Sequence, residues 1–214
     1  MLQGITIQSS ECLKRAASHG WPVSIEQGRT CLAAPGGYKF FIIDKPQPLD
    51  KDPVVSVAIG VSDMEKSVGY WSGLLGMNVT GASSGTTSLS YNPTSQASLI
   101  LVSQPTVDHA KAQGRIAFSI PGADLPGVES KVKEAKGTIL TPLISLDTPG
   151  KATVQVVILG DPDGQEICFV GSEAFRELSQ VQWCTKFYFN VYMNIMHNMQ
   201  LCMYIVHTVW NYTW

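Results

Sequence analysis

One turn and the strand after it occur twice in this chain of 214 residues. The first copy runs from residue 34 to 42 and the second from 161 to 169, and in each copy Pro and Gly precede an apolar strand. Pro and Gly at fixed positions favour a tight turn, so each copy is predicted to close a β-hairpin. The fold is therefore expected to repeat one supersecondary structure.

The elements ahead of each copy recur as well. A β-like run leads into an amphipathic helix at residues 5–19, 54–75 and 116–136, and further strands follow. Three β-α-β-β-β units are thus predicted, in the α+β class, with mostly antiparallel sheets backed by helices. Ser62 and Glu65 predict a capping box for the middle helix, and Asp124 is the predicted N-cap of the third.

Composition excludes some functions. The chain is 44% hydrophobic and 15% charged with a net charge of -2, and its Lys and Arg residues do not cluster, so no nucleic-acid partner is expected. Five cysteines without CxxC spacing indicate free thiols in a reducing compartment. The first residues enter a strand-like run without a signal or an organelle presequence, which predicts a cytoplasmic protein.

Two segments carry a family resemblance. The run from Val57 to Met77, with its Asp63-Met64-Glu65 helix start, resembles the opening of a vicinal-oxygen-chelate module, the fold of glyoxalase I, extradiol dioxygenases and bleomycin-resistance proteins. The Asp161-Pro162-Asp163-Gly164 turn resembles the module's ending. Residues 114–178 resemble, more narrowly, an animal subfamily of glyoxalase-domain proteins, for which association with mitochondria is implied. The resemblance covers about residues 4 to 180.

This resemblance implies that units pair into a cup-shaped sheet of eight strands. We expect residues 53–180 to form one complete module of two units and residues 1–45 to form an incomplete first module, joined by a linker at 46–52. The resemblance implies a longer relative with one more unit ahead of Met1. The unpaired first unit would leave a sheet edge uncovered, which favours dimerisation or another protein partner.

In enzymatic members of the family, a metal is held in the cup by residues of the first and last strands of each unit. Position by position, these ligands fall on Ser56 and Ile100 in the middle unit and on Arg115 and Cys168 in the third. Isoleucine cannot coordinate a metal, and the permanent charge of arginine repels a divalent cation. Gly4 and Phe41 stand at the matching positions of the first unit. No metal and no other cofactor is therefore expected.

Three functions remain open for this fold. One is a metal-free cup that binds a small organic anion, with Arg115 supplying charge, Ser56 a hydroxyl, and Ile100 and Cys168 lining the cup. Another is a scaffold for protein contacts without chemistry in the cup. The third is a metal-dependent lyase of the lactoylglutathione type with other ligands. A local carboxylate that neutralises Arg115 would favour the scaffold, whereas an open pocket around Arg115 would favour the anion.

The C-terminal segment, residues 181–214, differs from the rest of the chain and does not resemble the family. It contains Lys186 as its one Lys or Arg, no acidic residue, and many aromatic residues. Its length and low charge fit a membrane span, but Asn and His recur through its centre and are costly in hydrocarbon, so membrane insertion is not expected. An ordered packing helix and an extension that selection has not shaped are the other interpretations.

Overall fold

The computed structural model describes residues 2–34, 37–49, 52–94, 96–108, 115–147, 153–179 and 204–205. The chain divides into two compact bodies. Of the described residues, those from 2 to 107 belong to the first body, and those from 108 to 179 belong with 204–205 to the second. Pro35 and Gly36 of the first predicted turn and most of the C-terminal segment lie outside the described residues.

The first body contains two β-α-β-β-β units. Its elements in chain order are β1 (Leu2–Gln8), α1 (Ser10–Ser18), β2 (Val23–Glu26), β3 (Arg29–Ala33), β4 (Lys39–Ile43), β5 (Val54–Val61), α2 (Met64–Val68) continued by a π-helix (Gly69–Leu74), β6 (Asn78–Ser83), β7 (Thr86–Ser90) and β8 (Ser98–Ser103). The strands form one sheet in the order β2-β3-β4-β1-β5-β8-β7-β6. Both units thus contribute four strands, and their first strands meet in the middle.

The pairing of β1 with β5 corrects the expected domain organisation. Residues 53–180 were assigned to one module, but the middle unit shares its sheet with the first unit, and the third unit has a sheet of its own. Loop length does not decide this pairing, because residues 44–53 between β4 and β5 and residues 104–115 between β8 and β9 form connections of similar length, and closing them costs similar entropy. The choice lies in the contacts between the strands. Two backbone bonds hold the connection between β4 and β5, from Gln8 N to Pro53 O and from Ser10 N to Lys45 O, both 2.8 Å.

One face of this eight-stranded sheet forms the core beneath the helices. Alternate residues of the strands are apolar, because successive side chains of a strand point to opposite faces. Ile5, Val57 and Leu99 are at most 6% exposed, and Trp71 of the π-helix is fully buried. Helix α2 begins differently from its prediction, since Asp63 rather than Ser62 is the N-cap and its Oδ1 accepts a hydrogen bond from Lys66 N at 3.0 Å.

The second body contains the third unit. Its elements are β9 (Ile116–Ile120), a 3-10 turn (Gly122–Asp124), α3 (Leu125–Glu134), β10 (Thr138–Leu146), β11 (Val154–Gly160), β12 (Glu166–Gly171), α4 (Ser172–Ser179) and β13 (Tyr204–Ile205). The strands form a sheet in the order β10-β11-β12-β9-β13. Leu125 and Val132 of α3 are fully buried, and the rings of Phe118 and Phe169 stack with centroids 5.3 Å apart. Asp124 precedes α3 as predicted but makes no side-chain cap.

Both sheets are mixed, with antiparallel pairs predominating and helices packed against them, which confirms the α+β prediction. The Asp161 turn is also confirmed as a structural element. Asp161 Oδ1 accepts hydrogen bonds from Asp163 N and Gln165 N, so this carboxylate stabilises its own loop. Within the described ranges, no helix combines the length and the apolarity that a bilayer span requires.

Candidate functional site

The face of the eight-stranded sheet that points away from the buried row of Ile5, Val57 and Leu99 is here called the open face. Cross-strand partners point to the same side of a sheet. Phe41 is paired with Thr6, Thr6 with Ser56, and Ser56 with Ser98, so these four side chains form one row across β4, β1, β5 and β8. The three hydroxyl residues are half-buried. The centre of the open face is therefore a polar, accessible surface.

The positions that correspond to family metal ligands lie on this face. Gly4 is two residues before Thr6, and Ile100 is two residues after Ser98, so both share the side of Phe41 and Ser56. A Cβ atom built on Gly4 would lie 2.5 Å from Cε2 of Phe41. The aromatic ring thus fills the space that a coordinating side chain at residue 4 would need.

A metal does not fit this arrangement. Glycine, phenylalanine and isoleucine supply no side-chain donor, and a single serine hydroxyl is too few ligands for zinc, nickel or manganese. Among the strand residues of the first body, Glu26 is the only carboxylate, and histidine and aspartate do not occur. In the part of the chain that the structure describes, no group of three or more His, Cys, Asp or Glu residues comes together.

Charged side chains gather at one end of the open face. The guanidinium of Arg29 lies 3.6 Å from the centroid of the Phe41 ring, and its Nη2 also donates to Gln27 Oε1 at 3.3 Å. Lys39 Nζ lies 2.5 Å from Glu26 Oε2, and the hydrogen bond from Lys39 lowers the pKa of Glu26. Because one carboxylate stands beside two cations, the group has a net positive charge. Arg29 is exposed to solvent.

A buried thiol lies beside this charged group. Cys31 is 1% exposed and is paired across the sheet with Ser24 on one side and Phe41 on the other. Burial raises the pKa of the Cys31 thiol, and the charge of Glu26 raises it further. A neutral, buried thiol is a packing residue rather than a nucleophile.

Arg115 of the second body is paired. Its Nε donates to Oε2 of Glu166, the first residue of β12, and both side chains are partly exposed. The local carboxylate that sequence analysis named as the alternative to an open pocket is therefore present. This pairing removes Arg115 as a source of charge for an anionic ligand.

Cys168 of the second body lies on the sheet face against which helix α4 packs. Val154, Val156 and Val170 form a buried cluster, and Cys168, Ala174 and Phe175 pack against it. Glu173 Oε2, on the same helix, accepts a hydrogen bond from Gly122 N at 3.0 Å. Burial raises the pKa of the Cys168 thiol to about 11. The sheet face that carries Cys168 is thus packed by the chain's own helix.

The four predicted site residues therefore separate into two pairs. Ser56 and Ile100 lie on the open face of the first body, on neighbouring strands, whereas Arg115 and Cys168 belong to the second body. Sequence reasoning missed Arg29, which follows a turn glycine and resembles any surface cation. It also missed that α4 packs on the sheet of the second body. The apolar pair Ala174-Phe175 within an otherwise charged helix could have indicated this contact.

These features define the chain as a member of the glyoxalase fold class. Residues 63–178 match the family model described as "Glyoxalase domain-containing protein 4-like, C-terminal domain", so the chain belongs to this family of the vicinal-oxygen-chelate superfamily. Glyoxalase domain-containing protein 4 of Mus musculus is 52% identical over 182 residues, which are 83% of this chain and 60% of the relative. The chain thus spans about 60% of that relative's length.

Other comparisons agree on the fold. Glyoxalase 1 of Caenorhabditis elegans is 44% identical over 155 residues, which are 72% of this chain and 54% of the relative. Crystalline glyoxalase I of Zea mays superimposes with a TM-score of 0.62 at 21% identity, covering 81% of this chain and 68% of the maize chain. At that identity, the structural likeness concerns the fold alone.

Proposed function

We propose that this chain binds a small organic anion on the open face of its first body, without a metal. The observation that carries this proposal is the exposed guanidinium of Arg29, held 3.6 Å above the Phe41 ring beside a row of hydroxyl side chains. A planar guanidinium fixed on an aromatic ring presents its N–H groups as a fork that matches a carboxylate. The proposed cation is thus Arg29 and no longer Arg115.

The hydroxyl row would supply the remaining polar contacts. Thr6, Ser56 and Ser98 lie on three neighbouring strands, each accessible to solvent and each able to donate and accept a hydrogen bond. Ile100, two residues after Ser98 on the same face, adds apolar surface next to this row. Such a mixture of apolar walls and a few convergent polar groups suits a small molecule with one charged end.

Binding rather than catalysis is proposed because the described strands of the open face carry no free acid or base. Glu26 is the carboxylate available on its strands, and Lys39 holds it in an ion pair. Proton transfer needs a group whose pKa lies near the working pH, and the hydrogen bond from Lys39 lowers the pKa of Glu26 away from that range.

The test is a titration of the purified protein with citrate and with D-lactate. Calorimetry measures the affinity, and the NMR chemical shifts of the backbone amides locate the site. We expect shifts at Thr6 and Ser56, and a loss of affinity of about 10-fold or more in Arg29→Gln, since charge-assisted hydrogen bonds contribute about 1.5–3 kcal/mol. The matched control is Arg15→Gln, which removes the same charge from helix α1, where Arg15 pairs with Glu11 at 3.5 Å. Equal affinity in the Arg29 variant and the unaltered protein would reject the proposal.

A lyase of the glyoxalase type is a second candidate. It is supported by the 44% identity to two nematode relatives named Glyoxalase 1. Its test is turnover of methylglyoxal with glutathione, in the presence and absence of added zinc, nickel or manganese. Turnover that survives Arg29→Gln and requires added metal would favour this candidate over anion binding.

A further inference from the structure

Strand β2 is one edge of the eight-stranded sheet of the first body. Among the described strands, β3 is its one neighbour, so the other side of β2 has no strand paired with it. Val23 and Ile25 of this strand are 48% and 70% exposed. Their side chains point to the same side of the sheet because the two residues are two positions apart. Apolar side chains thus stand in solvent beside a free strand edge.

The side chain of Val23 continues the apolar core to the edge of the sheet. Val23 is paired with Leu32 of β3. The same row continues through Phe40 of β4 to Ile5 of β1. Cross-strand partners point to the same side of a sheet. Leu32 and Ile5 are buried, so the row is covered within the sheet and exposed where β2 ends it.

The turn after β2 determines which of its backbone groups face outwards. Gln27 and Gly28 have positive φ angles of 51° and 74°, which is the conformation of a two-residue type I′ turn. A hydrogen-bonded pair closes such a turn, here Glu26 and its partner on β3. Hydrogen-bonded and non-hydrogen-bonded pairs alternate along an antiparallel ladder. The N–H and C=O groups of Val23 and Ile25 therefore point away from β3, towards the free edge.

The corresponding outer strands of the other two units are protected against pairing with another chain, whereas β2 is not. β6, at the opposite edge of the same sheet, shifts its register with β7 between Val79 and Gly81. β10 contains Pro142 and two register shifts. Proline and β-bulges protect natural edge strands in this way. β2 pairs with β3 without a shift, and its sequence VSIE contains neither proline nor lysine.

The charge of β2 indicates what kind of strand would fit its edge. The one charged residue of β2 is Glu26, and Lys39 of the same chain holds this carboxylate in an ion pair. The strand therefore offers no unpaired charge to an acidic or a basic peptide. Its edge suits an uncharged strand with branched apolar residues at alternate positions. β2 itself is such a strand.

We propose that the free edge of β2 is a self-association surface whose occupant is a second copy of this chain. The two β2 strands would pair antiparallel about a twofold axis at Ser24. Val23 then lies opposite the partner's Ile25, and these two residues exchange both of their backbone hydrogen bonds. The Glu26 side chain lies opposite the partner's Pro22, so the carboxylates of the two copies do not meet. The proposal does not depend on the proposed function.

Light scattering of the full chain tests the association. The mass should rise with concentration from 23.2 kDa towards twice this value. Ile25→Lys should weaken the dimer about 10-fold or more, because each dimer loses two apolar cross-strand contacts. Val79→Lys is the matched control and should leave the dimer unchanged, since Val79 is 49% exposed on β6 at the opposite edge of the sheet. A mass of one chain at every concentration, or equal weakening by both substitutions, would overturn the proposal.

A double variant, Val23→Glu with Ile25→Lys, tests the register. In the proposed register, the new carboxylate of each copy lies opposite the new ammonium group of the other copy. Opposite charges on cross-strand partners attract, so the dimer that Ile25→Lys alone weakens should recover at least in part. With Ile25 opposite the partner's Ile25, like charges would meet instead. A dimer that does not recover would overturn the pairing about Ser24.

Hydrogen exchange measured by NMR needs no substitution. The N–H groups of Val23 and Ile25 face the free edge, so their exchange should slow as the protein concentration rises. The N–H group of Ser24 faces β3, and its exchange should not depend on concentration. The same change at all three residues would indicate general aggregation and overturn the proposal, as would no change at any of them.

Discussion

The ring of Phe41 fills the space next to Gly4 that a side chain at residue 4 would need. A Cβ at residue 4 would lie 2.5 Å from Cε2 and 2.9 Å from Cδ2 of this ring. Phe41 is 6% exposed, with Arg29 stacked above it, so the ring has little room to move. The two residues stand where the family resemblance places metal ligands. At these two positions the chain therefore has no metal ligand, and the Phe41 ring instead supports the guanidinium of Arg29.

We expect Gly4→Ala to lower the free energy of unfolding by about 1–3 kcal/mol, the usual cost of overpacking. The backbone φ of 154° at Gly4 also disfavours a side chain there. Urea denaturation measures the effect. Gly73→Ala is the control, since nothing lies within 4 Å of a Cβ at that site. Phe41→Leu should relieve part of the loss, and strict additivity of the two changes would contradict the proposed contact.

The purified protein is expected to carry no stoichiometric zinc, nickel or manganese. Arg115→His alone should not create a metal site, because Ile100 supplies no donor and Cys168 packs under helix α4. Elemental analysis after dialysis decides this. If the protein carries stoichiometric metal and loses it when Ser56 or Cys168 is replaced, the hypothesis of a metal-dependent enzyme is supported.

The Arg115–Glu166 pair is expected to contribute modestly to stability. Its side chains are 40% and 35% exposed, and solvent screening limits such pairs to about 0.2–1 kcal/mol. A double-mutant cycle with Arg115→Gln and Glu166→Gln measures the coupling energy, which should shrink at high salt. The Glu11–Lys14 pair, 4.0 Å apart on helix α1, serves as the reference for a weak surface pair. A salt-independent coupling well above this range would show that the pair is effectively buried.

Cys168 should react slowly with iodoacetamide at neutral pH. Burial raises the pKa of this thiol to about 11, so the reactive thiolate is scarce. Phe175→Ala removes part of the cover contributed by α4 and should increase the alkylation rate about 10-fold or more. Peptide mass spectrometry follows both rates, with Cys12 of helix α1 in the first body as the internal reference. The same rate in both proteins would mean that Phe175 does not shield the thiol.

The free energy of unfolding is expected to fall as pH rises because of the carboxyl group of Asp52. Burial raises the pKa of this carboxyl from 3.8 to about 6, so the folded state binds a proton more tightly than the unfolded state does. Stability contributed by the protonated form is complete below pH 3.8 and is lost between pH 3.8 and about 6. Asp52→Asn should therefore stabilise the protein at neutral pH and have little effect at low pH. Equal stability of Asp52→Asn and the unaltered protein at neutral pH would contradict this expectation.

Local patterns determined the elements and the family. The 3.6-residue periodicity around Trp71 and Val132 predicted helices, and both side chains are fully buried in the structure. The repeated turns and alternating strands predicted three equal units. The sequence around Asp63 carried the family resemblance, which the family model confirms for residues 63–178. Residues 4, 41, 56 and 100 could be assigned from this resemblance because their positions within each unit are fixed.

Only the tertiary structure decided how the units pair and where charge is available. Three similar units allow more than one pairing, and the choice of β1 with β5 depends on contacts within the sheet that no local pattern records. The charge of Arg115 is visible in the sequence, but its neutralisation depends on Glu166, 51 residues away. The Arg29 guanidinium is likewise held in place by the ring of Phe41 on the neighbouring strand. Charged and aromatic side chains form a site only when the fold fixes the distances between them. The periodicity that predicts a helix or a strand, in contrast, is present in the sequence of that element alone.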